Sequence, residues 1–362
     1  VELVRDRRRP QHPPRGAVIG GFEEKQLAAA RDFGLKLGQG QRIHAVKVPP
    51  GRRFFARRLP VRAVLITCRM SYPLRLRSRL VSLADVPVMA ILNCTPDSFY
   101  AASRVAAGHD AALLARAESL LAAGADWLDL GGYSTRPGAP DVPEAEEMAR
   151  VAPAVRAVRR AFPEARLSVD TFRAAVARAA LDDGADLIND VSGATADPAM
   201  LATVAAFPGV PLVLMHTRGT PQTMHTLTDY SAAGGLLVAL LDFFAERVAA
   251  ARAAGIADVI LDPGLGFAKT IEQNYWLLSR LPDLRAVLGL PLLVGLSRKG
   301  MTYRPPGLGP APQDALPATT ALHALAVWHG ADILRVHDPA EARQAVVATR
   351  LALRAAQAEH PR

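Results

Sequence analysis

Short β-branched runs alternate with amphipathic, Ala/Leu/Arg-rich stretches eight times over between residues 86 and 358, and few folds accommodate such a pattern. The apolar runs are VPVMAILN (86–93), WLDLGG (127–132), LSVDT (167–171), LIND (187–190), PLVLMH (211–216), VILDPG (259–264), PLLVGL (291–296) and ILRVHD (333–338). Helical patterns follow them at 110–123, 143–161, 173–183, 198–206, 231–254, 272–281, 315–329 and 339–358. In AGADWLDL, DGADLIND, AGIADVILD and HGADILRV, the residues Gly124, Gly184, Gly255 and Gly330 are placed to stop a helix in the left-handed conformation just before a strand. Eight consecutive βα units predict an α/β chain closed into a (β/α)8 TIM barrel. An open doubly wound sheet is the alternative, and the G-x-G-x-x-G turn it would carry after its first strand is absent.

A barrel strand is buried on both faces and should be apolar, and these strands are, until their last residues. There the chain turns polar: Asn93, Asp170, Asn189 and Asp190, His216, Asp262, Ser297 to Lys299, and Arg335 with His337. Any one of these could be a turn residue or helix cap. Seven strand ends behaving alike predict one shared mouth. Asp170, Asn189, Asp262 and Lys299 offer directed donors and acceptors suited to a flat heterocycle, with Val191 and Met215 as its apolar wall. Opposite them, Arg335 and His337 lie two apart on a strand, so they face one side. Asp338 as N-cap, Pro339 and Glu341 begin the last helix, so RVHDP predicts an anion site. Its plain structural alternative is a salt-bridged arginine and a capping box with no ligand.

Composition sets the outer bounds. Half of the 362 residues are hydrophobic, enough for a large core, and neither a membrane-length apolar run nor a secretory leader is legible. A cytoplasmic protein with free thiols at Cys68 and Cys94 is the expectation. The charge is lopsided: residues 1–80 hold 19 Lys/Arg against 5 Asp/Glu, while the remainder holds 24 against 29. That segment could be an arm for nucleic acid. The reading adopted is a basic, Arg/Pro-rich, disordered extension over residues 1–75, or upstream sequence ahead of Met70, with the barrel at 76–362 and no nucleic acid or membrane partner. Cys94, His109, His225 and His323 form no ligand spacing, Trp127 and Trp328 read as core, and the arginines of 150–160 read as a solvated helix face.

The motifs ILNCTPDSFY, DLGGYSTRPGA, SVDTF, INDVSG, ILDPGLGF, GLSRKG and ILRVHDP, in this order over roughly residues 82–355, closely resemble those of the dihydropteroate synthase family. The resemblance implies a homodimeric transferase joining 6-hydroxymethyl-7,8-dihydropterin diphosphate to 4-aminobenzoate with release of pyrophosphate. It implies that Asp170, Asn189, Asp262 and Lys299 hold the pterin, and that Asn93 helps coordinate a Mg2+ shared with the pyrophosphate. Arg335 and His337 would bind the pyrophosphate, while Thr135, Arg136 and Phe267 would help form the aminobenzoate site under two mobile loops.

Three departures stand out against that pattern. Tyr100, Ala101, Ala102 and Ser103 replace the usual S-D-G-G, so a loop carboxylate near position 101 is missing; Tyr133 replaces a glutamate; and Gly300 replaces a serine whose hydroxyl is expected near the aminobenzoate carboxylate, leaving its role to the Gly300 N–H. The Pro/Gly-rich segment 303–314 is expected to be a long loop. A pterin-binding methyltransferase domain and a non-catalytic relative are the competing readings; the anion constellation argues against the first, and the lost loop carboxylate favours the second.

Overall fold

In the computed structural model, residues 72–94, 106–134 and 141–358 are described. Eight strands run parallel: β3 (Val88–Asn93), β4 (Trp127–Gly131), β5 (Arg166–Asp170), β6 (Leu187–Asp190), β7 (Leu212–Met215), β8 (Val259–Asp262), β9 (Leu293–Val294) and β10 (Ile333–Val336). They are ordered β8-β7-β6-β5-β4-β3-β10-β9. The Leu261–Leu292 bridge joins the two ends of this order, with the Leu261 N–H donating to the Pro291 carbonyl at 2.9 Å. The sheet is therefore a closed barrel, as the eightfold alternation predicts.

Helices α1 (Ala106–Ala122), α2 (Glu144–Ala161), α3 (Ala174–Asp182), α4 (Met200–Ala205), α5 (Leu236–Ala253), α6 (Ile271–Ser279), α7 (Leu281–Leu288), α8 (Leu316–Trp328) and α9 (Pro339–Ala358) follow the strands. Gly124, Gly184, Gly255 and Gly330 all have φ between +94° and +103°, which an L side chain rarely adopts. The unanticipated helix is α7: Pro282 in its first turn and Gly289 at its end delimit a second segment where the periodicity suggested one.

Strand alternation sorts side chains into two cores. Ala90, Leu92, Leu128, Leu130, Val169, Ile188, Leu214, Leu261, Val294 and Leu334 point outward to the helices. Met89, Trp127, Leu187, Val213, Ile260, Leu293 and Ile333 point inward at the amino ends of their strands and fill the barrel there. An antiparallel hairpin, β1 (Pro73–Leu76) with β2 (Arg79–Ser82), closes that end by adding Leu74 and Leu76 to the inner cluster, joined by Leu83. At its turn Arg77 donates to the carbonyls of Leu181 and Ala185, both at 2.6 Å. The boundary expected at residue 75 falls inside β1, whose four residues all pair with β2. Short strands in an Arg-rich context carry a weak periodic signal, which is why the sequence hid them.

Two smaller expectations are corrected. Trp127 is core, but Trp328 is 43% exposed because it occupies the outer face of α8. Arg159 is not merely solvated: its guanidinium donates to the carbonyls of Ala165 and Gly184 and to Asp186, tying α2 to the ends of neighbouring units. The segment 303–314 is largely a loop, between short 3-10 turns at Gly300–Thr302 and Pro312–Ala315.

Candidate active site

The inward register that packs Trp127, Leu187, Val213, Ile260 and Ile333 at the closed end returns two residues later as Asp129, Asn189, Met215, Asp262 and Arg335. Asp170, paired in register with Asn189, joins them from β5. The Arg335 guanidinium donates through Nε to Asp129 Oδ2 at 2.6 Å and through Nη2 to Asp170 Oδ2 at 2.7 Å. Asn189 Nδ2 donates to the same Asp129 oxygen at 3.2 Å. One cation thus holds two buried carboxylates. The remaining oxygens Asp129 Oδ1, Asn189 Oδ1 and Ser168 Oγ are buried with no partner. Each such atom costs about 1–3 kcal/mol unless something bonds to it, so this floor is built to receive a polar ligand.

Electrostatics follow from burial. Loss of solvent raises the Asp170 carboxyl, against the pull of Arg335, and Asp129 and Glu147 add to the rise. Burial also raises Asp262, with Lys299 opposing. Lys299 is lowered to about 8, chiefly by burial, although Asp262 resists. Burial works against the charge on Arg335 too, yet Asp129 and Asp170 outweigh it and its pKa is raised.

Around this floor the β8 loop provides a side wall. Asp262 accepts from the Gly264 N–H at 2.7 Å. Lys299 donates to the Leu265 carbonyl at 2.7 Å and lies 4.4 Å from the Phe267 ring centre. A Cβ on Gly266 would sit 2.8 Å from Lys299 Cδ, so only glycine lets the lysine cross. Beneath the loop, buried Lys269 donates to the carbonyls of Gly264 and Phe267 at 3.0 and 3.1 Å and lies 3.1 Å from His216 Nδ1. Burial lowers Lys269 to about 7. Met215, Met224, Phe267 and Ala268, with Val191 against them, form the apolar wall. Val191, Met224 and Phe267 continue into a cavity of about 590 Å³ that Tyr133, Phe172 and Arg173 also line.

Asp170, Asn189, Asp262, Lys299, Val191, Met215 and Phe267 gather on the floor and wall just described. Asn93 ends β3 beside Gly131, and its side chain makes no hydrogen bond among the described residues. His337 has its backbone N–H and Nδ1 at 3.1 and 3.0 Å from Ser297 Oγ, which draws it to the β9 side of the mouth. Thr135, Arg136 and Ala101 lie outside the described residues.

Arg335 differs from its sequence reading, whereas Asp338 does stand at the N-cap position before Pro339, its carbonyl accepting from the Ala342 N–H at 3.1 Å, and gains a further partner. Arg335 was expected opposite the ring ligands; it sits on one of them, Asp170, because its side chain points into the barrel axis. Both Asp338 oxygens accept from Arg298, at 2.8 and 2.7 Å, so that carboxylate pairs with the β9 loop. Asp190 points outward and takes the Ser192 and Ala194 N–H groups, at 2.7 and 3.1 Å, as a turn residue. At the position of the expected glutamate, Tyr133 packs edge-on against Phe172 at 5.1 Å and donates to Asp141 at 3.2 Å. A glutamate does lie beneath it: Glu147, fully buried, accepts from Thr171 at 2.7 Å and from Arg173 at 2.5 Å.

Asp129 is the functional residue that sequence reasoning missed. Its signal was available, since WLDLG places an acid in mid-strand where both faces are buried, and such an acid needs a partner. That partner, Arg335, is 206 positions away.

A family model for pterin binding enzymes matches residues 89–337, spanning every strand of the barrel in whole or in part. The chain belongs to the dihydropteroate synthase family of pterin binding enzymes. It is 47% identical over 253 residues to the dihydropteroate synthase of Synechocystis sp., covering 69% of this chain and 84% of that one. Identity with the Escherichia coli K12 synthase is 39% over 268 residues, covering 74% and 91%. Among solved structures, the Xanthomonas albilineans dihydropteroate synthase with 4-aminobenzoic acid superimposes with a TM-score of 0.70 at 38% identity, over 78% of this chain and 98% of that one. That synthase in complex with indole-2-carboxylic acid and 6-chloroguanine gives 0.69 at 37% identity, over 77% and 98%.

Proposed function

We infer that this chain is a dihydropteroate synthase, condensing 6-hydroxymethyl-7,8-dihydropterin diphosphate with 4-aminobenzoate to 7,8-dihydropteroate and pyrophosphate. The bond broken is that between the pterin methylene and the diphosphate oxygen; the bond formed joins the methylene to the aryl nitrogen, which releases one proton. The observation that carries this reading is the buried Asp129–Arg335–Asp170 cluster with Asn189, whose spare oxygens Asn189 Oδ1 and Asp129 Oδ1 lack partners. Those oxygens and Asp262 are acceptors for the N–H edge of the pterin, and Lys299 is a donor for its carbonyl edge.

As the diphosphate leaves, positive charge grows on the ring and methylene, and the buried carboxylates stabilise it without solvent reorganisation. Arg335, whose Nη1 has no bond among the described residues, and His337 face the departing anion. The amine of 4-aminobenzoate then attacks from the Phe267 and Lys299 side. Phe267 and Met215 keep water from the methylene, where hydrolysis would compete.

Mg2+ belongs to this proposal as a companion of the diphosphate. Among the described residues no group of three or more His, Cys, Asp or Glu side chains could hold a metal ion. A single unbonded amide, Asn93, suits an ion that keeps most of its waters and binds through substrate oxygens. When bound, it would neutralise charge on the leaving group. We also propose a homodimer: exposed Leu325 and Trp328 on α8 and Val347 and Leu351 on the adjoining α9 form an apolar face suited to a second copy. Among the described residues no helix is long and apolar enough to cross a membrane, and buried Cys94 is a free thiol, compatible with the cytoplasm.

The test is pyrophosphate release from the pterin diphosphate, with and without 4-aminobenzoate and Mg2+. Release that requires both supports the reading. No release by folded protein favours a non-catalytic relative, and a methyl transfer activity would replace the assignment. Sedimentation velocity tests the dimer.

A further inference from the structure

One buried cation has no part in the chemistry proposed above. Lys269, at the end of the β8 loop, is 8% exposed and makes no ion pair among the described residues. Its Nζ lies instead 3.0 Å from the Gly264 carbonyl, 3.1 Å from the Phe267 carbonyl and 3.1 Å from His216 Nδ1. A methionine would fill the same space without the cost of burying an ammonium, a cost visible in a pKa lowered to about 7, chiefly by burial. An amine kept there against that cost is holding something in place.

What it holds is the loop around it. Gly264, Gly266 and Ala268 have φ of +68°, +85° and +48°, so the chain follows an irregular path between Asp262 and Lys269. The carbonyls along it are divided among side chains: Lys299 donates to Leu265 at 2.7 Å, Tyr230 donates to Ala268 at 2.8 Å, and Lys269 serves Gly264 and Phe267. Gly264 has further anchors. Its N–H donates to Asp262, its carbonyl accepts from the Phe267 N–H at 3.1 Å, and a Cβ there would lie 2.0 Å from the His216 carbonyl. The Phe267 carbonyl has Lys269 as its partner among the described residues. His216, just after β7, completes the clamp: its ring packs edge-on against Phe243 at 5.1 Å, and burial keeps the imidazole neutral. The clamp survives either placement of the proton between the two side chains. An ammonium donates to Nδ1, an amine accepts from Nδ1–H, and in both forms two N–H bonds remain for the carbonyls.

We propose that Lys269 is a positioning residue for the aryl half of the reaction: by clamping the Phe267 carbonyl to His216, it sets the Phe267 ring where the aryl amine enters and water is kept out. This inference rests on the condensation proposed above. Phe267 is the residue through which Lys269 acts, since its ring belongs to the apolar wall, lines the cavity of about 590 Å³ and lies 4.4 Å from Lys299 Nζ. The floor is held separately, by the bonds among Asp129, Asp170, Asn189 and Arg335. With the wall loosened, water competes with the amine for the methylene. Its oxygen bonds to that carbon as the bond from carbon to the diphosphate oxygen breaks, giving the hydroxymethyl pterin, pyrophosphate and a proton.

The experiment compares the full chain with its Lys269→Met variant, reading pyrophosphate and dihydropteroate in one reaction and hydrogen–deuterium exchange of the peptide 262–270 separately. Lys269→Met is expected to raise the KM for 4-aminobenzoate about tenfold while that for the pterin diphosphate stays within about twofold. Dihydropteroate formed per pyrophosphate released should fall from about one to below about one half. The loop amides should exchange at least about tenfold faster, with those of the strands unchanged. Lys269→Gln, which keeps N–H donors on a shorter side chain, should recover part of each effect, and it carries the same test if Lys269→Met fails to fold. A merely structural role scales every rate with the folded fraction and leaves the product ratio at one, so that result overturns the proposal. Equal rises in both KM values, or unchanged exchange in the loop, overturn it as well. Wild-type protein that releases no pyrophosphate refutes the condensation itself, and the exchange comparison, which needs no turnover, still decides whether Lys269 holds the loop.

Discussion

The two ends of this barrel are made by the same strands and obey opposite rules. At the amino ends, Met89, Trp127, Leu187, Val213, Ile260, Leu293 and Ile333 meet Leu74 and Leu76 of the hairpin, and the space is filled with apolar side chains, Trp127 Nε1 being the buried polar atom left without a partner there among the described residues. Two residues further along, the inward positions are Asp129, Asn189, Asp262 and Arg335, and polar atoms are left without partners. The closed end minimises its own free energy. The open end leaves hydrogen-bonding capacity unused within the chain, and that capacity is what a ligand can take up. Backbone strain does not distinguish them: Ala194, Ala268 and Arg298 hold φ of +59°, +48° and +53° in the loops after β6, β8 and β9, and Arg77 and Val86 hold +53° and +51° at the hairpin end.

Several substitutions break or sharpen this contrast. The largest effect is expected at Arg335→Met, which strands Asp129 and Asp170 as buried, unpaired carboxylates. We expect a loss of about 3–5 kcal/mol in urea unfolding and at least about a hundredfold loss of pyrophosphate release, because one residue serves both stability and chemistry. Leu74→Ala tests the other end. It should lower stability by about 2–5 kcal/mol through a cavity in the plug while the kcat of the folded fraction is unchanged. If Leu74→Ala impairs turnover at temperatures where it remains folded, the two ends are not separable.

Gly132→Ala sharpens the boundary between them. An added Cβ would meet Val151 Cγ2 at 2.7 Å above buried Glu147, and overpacking of about 1–3 kcal/mol should appear as a lower melting temperature. A pH series isolates Lys269, whose pKa falls to about 7 in the fold from an ordinary 10.5. Between these values the unfolded chain binds more protons than the folded one, so this group makes stability rise with pH from about 7 to 10. Lys269→Met should flatten that rise relative to wild type in unfolding curves taken across the range. The smallest effect belongs to Tyr133→Phe, which removes a partly exposed bond to Asp141 but keeps the Phe172 contact, and should change stability by less than about 1 kcal/mol.

How far the sequence carried these conclusions depended on the range of the interaction involved. Strands β3 to β10 were legible because double burial makes each a continuous apolar run, and their ends because a left-handed glycine is a local requirement. The hairpin was hidden: four-residue strands rich in arginine have too little periodicity, and only the apolar amino end of the barrel gives Leu74 and Leu76 a reason to be buried. At the site, residue types and convergence could be read, but not partners. Arg335 looked like an anion ligand standing apart from the ring residues, and Asp338, which does precede the last helix, gave no sign of a side-chain partner in another loop. The fold gives Arg335 to Asp129 and Asp170 and gives Asp338 to Arg298.

The order of elements, the closed architecture and the polar character of one rim were therefore determined by the sequence alone, because propensity, burial period and turn chemistry act over a few residues. Which carboxylate shares which guanidinium was decided only by tertiary structure. Those choices depend on distances between groups as far as 206 positions apart, and closure of the barrel is what brings such groups within bonding range.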